Sequence, residues 1–246
     1  MSADASGGRT ASGGATQAHD GRRRPLLVID TATSAIVVAT ARPDGELDGL
    51  RTWAAGHRHG ETLLPSLGGF LGEQNVRRSR LAAVIVGTGP GGFTGLRVGL
   101  ATAKGIARAL GIPIVGVATG RALLVAAEAD GAGPAAALTL LLPAGPWDRV
   151  AVRIGEHPRL LRGTADPDIE HDRLVAVDLE GRAPADALAR GESARSGLAA
   201  ALARLGAARL AAEPAGDDLA RLVPEYVTLP RGVDRPPSGD VTLSVG

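Results

Sequence analysis

Residues 81–110 read LAAVIVGTGPGGFTGLRVGLATAKGIARAL, and three structural units follow one another in that order. Leu81–Gly87 is an apolar run of the kind that forms a strand buried on both faces. Five glycines among the nine residues Gly87–Gly95 then mark a loop, and helical periodicity runs from about Thr94 to Leu110. A second apolar run, Ile112–Ala118, comes next. Strand, glycine loop, helix and strand in this order predict a βαβ unit with its two strands parallel.

Upstream, Leu26–Asp30 predicts a short strand, Thr31–Ser34 a turn, Ala35–Thr40 a second strand, and Pro43-Asp44-Gly45 a turn into a third strand that reaches Trp53. Strands joined this tightly make an antiparallel meander. Leu63, Leu64, Leu67, Phe70 and Leu71 recur at helical spacing, predicting a helix over Glu61–Leu71 with Pro65 in its first turn, where a missing N–H is tolerated. The first half therefore reads βββαβαβ. Downstream, 135–142, 149–154 and 159–162 echo the meander, followed by a strand over Leu174–Leu179, a helix over Ser193–Ala212 and a proline-punctuated ending over Leu222–Arg235. The expectation is an α/β duplicated fold: a disordered tail over 1–24, an N-terminal lobe over 25–120, a degenerate C-terminal lobe over 121–235, and a loose end over 236–246. The first tail lacks apolar periodicity and ends in Arg22, Arg23 and Arg24, a solvated flank or a contact for phosphate.

Composition narrows the function classes. A chain of 246 residues, 44% hydrophobic, can bury a sizeable core. Its 27 basic and 26 acidic side chains leave a net charge of +1, so bulk charge demands neither nucleic acid nor a membrane. Cysteine is absent, which removes disulfides, thiolate metal ligands and thiol nucleophiles, and suits a reducing compartment. No run is long and apolar enough to span a bilayer, and the N-terminus lacks the apolar core of a signal peptide. The expectation is a cytoplasmic protein with no membrane partner.

The glycine loop allows two readings. It brings backbone amides to a helix N-terminus, where an anion is favoured, and Gly89, Gly91 and Gly92 are then candidate nucleotide contacts. Alternatively it is a tight turn that lets the helix pack closely on the sheet. The dinucleotide pattern fails for want of an acidic residue after the next strand, and the phosphate-loop pattern for want of a Lys-Ser/Thr ending. Within the helix, Gly95, Gly99 and Ala103 form one row of small residues and Ala101, Gly105 and Ala109 another. An interior glycine costs about 1 kcal/mol against alanine, so something must approach this helix closely. That something is either the neighbouring helix or a second chain.

The run IVGTGPGGFTGLRVGLATAKGIA over 85–107, with LLVIDTAT over 26–33 and HGETLLP over 59–65, resembles the bacterial TsaB family, also called YeaZ, over Leu26 to about Leu124. The resemblance implies an actin-like ATPase, ribonuclease-H-like fold in two lobes. It implies a protein–protein interaction role in tRNA processing: a non-catalytic partner of TsaD, the pair joining the ATPase TsaE to form threonylcarbamoyladenosine beside the tRNA anticodon. The partner interface it implies comprises Glu61, Leu64, Leu67, Leu71, Gly95, Gly99, Thr102, Gly105 and Ala109, with a homodimer through the same face when TsaD is absent. It implies no cofactor, metal or catalytic residue on this chain, ATP and metal being on the partner subunits, and tRNA reached only through the complex.

The residues bear on that division of labour. TsaD-like proteins carry two histidines four residues apart after the fifth strand, a metal-binding spacing, whereas residues 117–124 here read VATGRALL. His57 and His59 lack a third ligand. An ATPase of the architecture that the resemblance implies has an acidic residue at the end of the first strand of each lobe. Asp30 fills the first position, which makes it a candidate nucleotide contact, with Thr31 and Thr33 as phosphate-facing residues or turn formers, but Leu142 and Pro143 stand where its mate belongs. Pro143-Ala144-Gly145-Pro146 also departs from the family's Asp-Ala-Arg. A free-standing kinase of the same fold and a glycoprotease-like metallopeptidase are the competing readings. A serine hydrolase is disfavoured, since no Gly-x-Ser-x-Gly elbow occurs.

Overall fold

A computed structural model describes residues 24–54, 59–163 and 170–227. The tails expected over 1–24 and 236–246, apart from Arg24, and the side chains of His57 and His59 lie outside the described residues. The meander forms β1 (Leu26–Asp30), β2 (Ala35–Ala41) and β3 (Leu47–Ala54), followed by α1 (His59–Glu73), β4 (Ala83–Gly87), α2 (Phe93–Leu110) and β5 (Ile114–Val117). The strands lie in the order β3-β2-β1-β4-β5, with β1 antiparallel to β2 and parallel to β4.

The second half repeats the pattern without the fifth strand. It contains α3 (Thr119–Ala129), β6 (Thr139–Pro143), β7 (Arg149–Val152), β8 (Arg159–Leu161), β9 (Leu174–Ala176) and α4 (Ala185–Ala212). The order β8-β7-β6-β9 has β6 antiparallel to β7 and parallel to β9, mirroring β3-β2-β1-β4. The duplication expected from the weak meander echo is thus real at the level of strand pairing.

Several boundaries differ from expectation. Residues 135–137 form a 3-10 turn rather than the start of a strand. The last helix begins at Ala185, eight residues early, with Pro184 at its N-cap position. Pro65 is the seventh residue of α1 and not in its first turn; its exposed ring faces outward. The helix α3 did not emerge from periodicity at all.

Two apolar layers flank the first sheet. On one face Leu27, Ile29, Val84 and Val86 pack with Leu63, Phe70, Leu100 and Ala107 of α1 and α2. On the other, Val28, Val37, Ile85 and Val115 join Leu123, Leu198 and Leu202 of α3 and α4, and Leu140, Val150 and Val175 of the second sheet. One continuous core therefore joins the two sheets through α3 and α4. At 28 residues, about 42 Å, α4 is long enough to cross both. Where it crosses β4 it places Gly206, at which a Cβ would stand 2.6 Å from Ile85.

A polar latch also ties the halves. Asp178, just past β9 and in a left-handed conformation at φ 57°, accepts the backbone N–H of Ser34 at 2.7 Å and pairs with Arg195 of α4 at 3.0 Å.

Candidate functional site

The glycine loop between β4 and α2 uses its amides internally. Thr88 N–H donates to Val117 O at 2.9 Å, Gly89 N–H to Thr119 Oγ1 at 3.2 Å, and Gly92 N–H to Ala32 O at 2.8 Å. Pro90, reached through a cis peptide bond, has no N–H to offer. A Cβ on Gly87 would overlap the Asp30 carboxylate, and one on Gly91 would overlap the Ala32 carbonyl. This corrects the anion-cradle expectation for Gly89 and Gly92, whose N–H groups are taken, while Gly91 is held close against the Ala32 carbonyl. The glycines let the loop close on the turn after β1.

That turn is equally committed. Asp30 is fully buried, and its carboxylate accepts Ala32 N–H at 3.0 Å and the Thr119 hydroxyl at 2.6 Å. Burial raises its pKa above the ordinary 3.8, while the bonds from Thr119 and Ala32 pull the other way. Thr31 donates its hydroxyl to Gly95 O at 2.8 Å and Thr33 to Ala35 O at 3.1 Å, both buried. Asp30, Thr31 and Thr33 therefore hold the fold rather than face a ligand. The fifth residue of β6, equivalent in strand pairing to Asp30, is Pro143. Among the described residues no group of three or more His, Asp or Glu side chains could hold a metal ion. Sequence reasoning missed Thr119; its signal was a threonine opening a helix directly after an apolar strand.

A cavity of about 190 Å³ lies between this loop, the start of α3 and the β7–β8 turn, lined by Pro90, Arg121, Val152, Arg153, Glu156 and Glu225 among others. It is smaller than the roughly 300–1,000 Å³ usual for small-molecule sites. Burial pushes the Glu225 carboxyl above its ordinary value, against a smaller opposing pull from His157. Glu225 belongs to a C-terminal strap that the sequence did not reveal. Asp217 N–H donates to Ile114 O at 2.7 Å, along the edge of β5, and Glu225 N–H donates to Thr88 O at 2.8 Å. Arg97 lies 3.7 Å over the Phe93 ring and donates to the Tyr226 hydroxyl at 2.9 Å.

The remaining candidates sit on α1 and α2, and the structure divides them. Leu67 and Leu71 are buried with Phe70, so they belong to the core rather than to an outer surface. Gly95 and Gly99 are buried too, and a Cβ on Gly99 would overlap the Thr31 side chain. Their small size serves the chain itself. The outer face keeps Glu61 and Leu64, the latter 58% exposed, together with Ala101, Gly105 and Ala109, with Thr102 half-buried at its margin. A Cβ on Gly105 would meet nothing within 4 Å.

Two sheets of matching topology around shared helices define an α/β protein of the actin-like ATPase architecture, here with its strand-end carboxylate turned inward. The family model described as TsaD, tRNA N6-adenosine threonylcarbamoyltransferase, matches residues 48–181, more than half of the chain. The chain belongs to this family, and it is similar to TsaB/YeaZ proteins. A protein of Mycobacterium tuberculosis is 42% identical over 93 residues, 37% of this chain and 44% of that protein. The tRNA threonylcarbamoyladenosine biosynthesis protein TsaB of Escherichia coli is 34% identical over 94 residues, 38% of this chain and 40% of that one. Each match spans less than half the length of these relatives. YeaZ from Pseudomonas aeruginosa shares the fold, with a TM-score of 0.58 at 22% identity over 82% of this chain and 99% of that one.

Proposed function

We propose that this chain acts in forming N6-threonylcarbamoyladenosine in tRNA as a non-catalytic partner subunit, presenting the outer face of α1 and α2 to a TsaD-type catalytic subunit. One observation carries the reading: Gly105 is an exposed glycine inside a helix with open space before it. Nothing among the described residues repays the roughly 1 kcal/mol that glycine costs there, so a close-packing partner supplies the reason. In a helical interface, small residues let backbones approach, and Leu64 adds an exposed apolar side chain on α1.

The rest of the site is in keeping with a subunit that leaves chemistry to others. Asp30 is spent on Thr119, and Pro143 occupies the equivalent position in the second sheet. ATP and metal then belong to the TsaD-type and TsaE-type partners, tRNA is met within the assembly, and without TsaD the same face pairs two copies of this chain. No helix among the described residues is long and apolar enough to cross a membrane, which accords with work in the cytoplasm.

The test is co-purification with the TsaD-type subunit of the same cell, followed by tRNA modification assays with and without this chain. Association and a requirement for the chain are expected. Steady ATP turnover by the isolated chain, abolished by Asp30→Ala, would instead establish the kinase reading.

A further inference from the structure

The cavity beside the glycine loop is built by both halves of the fold. Arg121 and Leu124 lie three residues apart on one face of α3, Val152 ends β7, Pro90 belongs to the loop and Glu225 to the strap. These walls are fixed in place. A Cβ on Gly120 would stand 2.9 Å from the Val152 side chain and 3.4 Å from Pro90, so the first turn of α3 already packs against both. The strap is anchored where it passes the cavity, by the Glu225 N–H bond to Thr88 O and by the bond between Arg97 and Tyr226.

The charged groups around this cavity are not all matched. Arg153 and Glu156 pair with each other at 3.3 Å across the β7–β8 turn. Arg121 and Glu225 are different: neither side chain forms a hydrogen bond or ion pair among the described residues, not even with the other. Burial raises the Glu225 carboxyl above its ordinary value, and His157 exerts only a smaller opposing pull. Two opposite charges therefore face one small space without meeting, and Leu124, Val152 and Pro90, all buried, supply apolar wall. A guanidinium recognises a carboxylate through paired N–H donors, and a carboxylate short of partners recognises an ammonium. A space of about 190 Å³ suits a molecule of amino-acid size rather than a nucleotide.

We propose that this cavity binds a free aliphatic α-amino acid, its carboxylate on Arg121, its ammonium on Glu225 and its side chain against Leu124, Val152 and Pro90. The site does not depend on the subunit reading, because every residue it uses belongs to this chain.

The test is calorimetric titration of the full chain with L-valine, with valinamide, which lacks the carboxylate, and with N-acetylvaline, which lacks the ammonium. L-Valine should bind with a dissociation constant below about 1 mM, and each analogue about tenfold more weakly or worse, for loss of a charge-assisted hydrogen bond. Arg121→Ala and Glu225→Gln should each weaken L-valine by about the same factor, and Arg121→Lys should recover part of the loss. Crossing the two series assigns the ends: valinamide should no longer distinguish Arg121→Ala from the natural chain, nor N-acetylvaline Glu225→Gln. No binding of L-valine by the natural chain at about 10 mM, or equal binding of all three compounds, would overturn the proposal. So would unchanged L-valine affinity in both variants. If a variant does not give the unfolding curve of the natural chain, the three compounds on the natural chain decide alone.

Discussion

Thr119 at the start of α3 donates its hydroxyl to the buried Oδ2 of Asp30 at 2.6 Å, and its own oxygen accepts the N–H of Gly89 at 3.2 Å. One hydroxyl thus joins the first strand, the glycine loop and a helix that follows the fifth strand. Thr119→Val keeps the shape and removes both bonds, leaving a buried carboxylate and a buried amide short of partners. Urea unfolding should show a loss of about 1–3 kcal/mol, with Thr119→Ser losing much less. A Thr119→Val chain as stable as the natural one would show that this junction is not what holds the loop.

Asp30 also gives stability a pH dependence. Its folded pKa is raised above 3.8 by burial, so between the unfolded and folded pKa values the folded state holds a proton that the unfolded state has released. The contribution is complete below the unfolded pKa and is lost as pH rises through the folded one. Relative to Asp30→Asn, which cannot titrate, the natural chain should lose stability as pH climbs from about 4 toward neutrality. Parallel pH series of the two chains check this, and a difference flat with pH would refute it.

Gly99 and Gly105, six residues apart on α2, should respond oppositely to alanine. At Gly99 a Cβ overlaps Thr31 and must displace its bond to Gly95, costing about 1–3 kcal/mol. At Gly105 the space is open, and alanine should stabilise by about 0.5–1 kcal/mol through helix propensity. Denaturant midpoints of the two variants decide it; shifts of the same sign would mean that the two rows of small residues are not divided between inside and outside.

Much of the architecture was legible in the sequence because period and punctuation agreed. Apolar runs bounded by turns gave β1 to β5, and the glycine loop joined to a periodic stretch gave α2. The meaning of the loop was not legible. Whether Gly87 and Gly91 served a phosphate or a carbonyl depended on Asp30 and Ala32, more than fifty residues away, and distance in sequence hides such a contact. In α3, TGRALLVAAEA is apolar on too many sides for a clear stripe, while the true start of α4 was marked only by Pro184. The strap lacked any periodicity: backbone bonds to Ile114 and Thr88 hold it, and Leu219 and Leu222, too few to mark a period, pack on the core beneath α2. Leu67 and Leu71 fell on the inner side of α1 because helical spacing fixes a stripe but not which neighbour it meets.

The buried hydroxyls of Thr40 in β2 and Thr139 in β6 have no hydrogen-bond partner among the described residues. Burying an unpaired hydroxyl costs free energy that a methyl group of the same shape does not. Thr139→Val should therefore be neutral or raise stability by about 1 kcal/mol, read from the thermal midpoint. A clear loss would show that the hydroxyl is bonded in solution.

The most direct measurement is the affinity of Gly105→Leu for the TsaD-type subunit, compared with the natural chain by calorimetry after both have given matching unfolding curves. The account predicts a folded variant whose association is weaker by about tenfold or more, since an isobutyl group on a close-packed helical face costs roughly 1–3 kcal/mol. An unchanged dissociation constant for the folded variant would contradict it and place the partner elsewhere on the molecule.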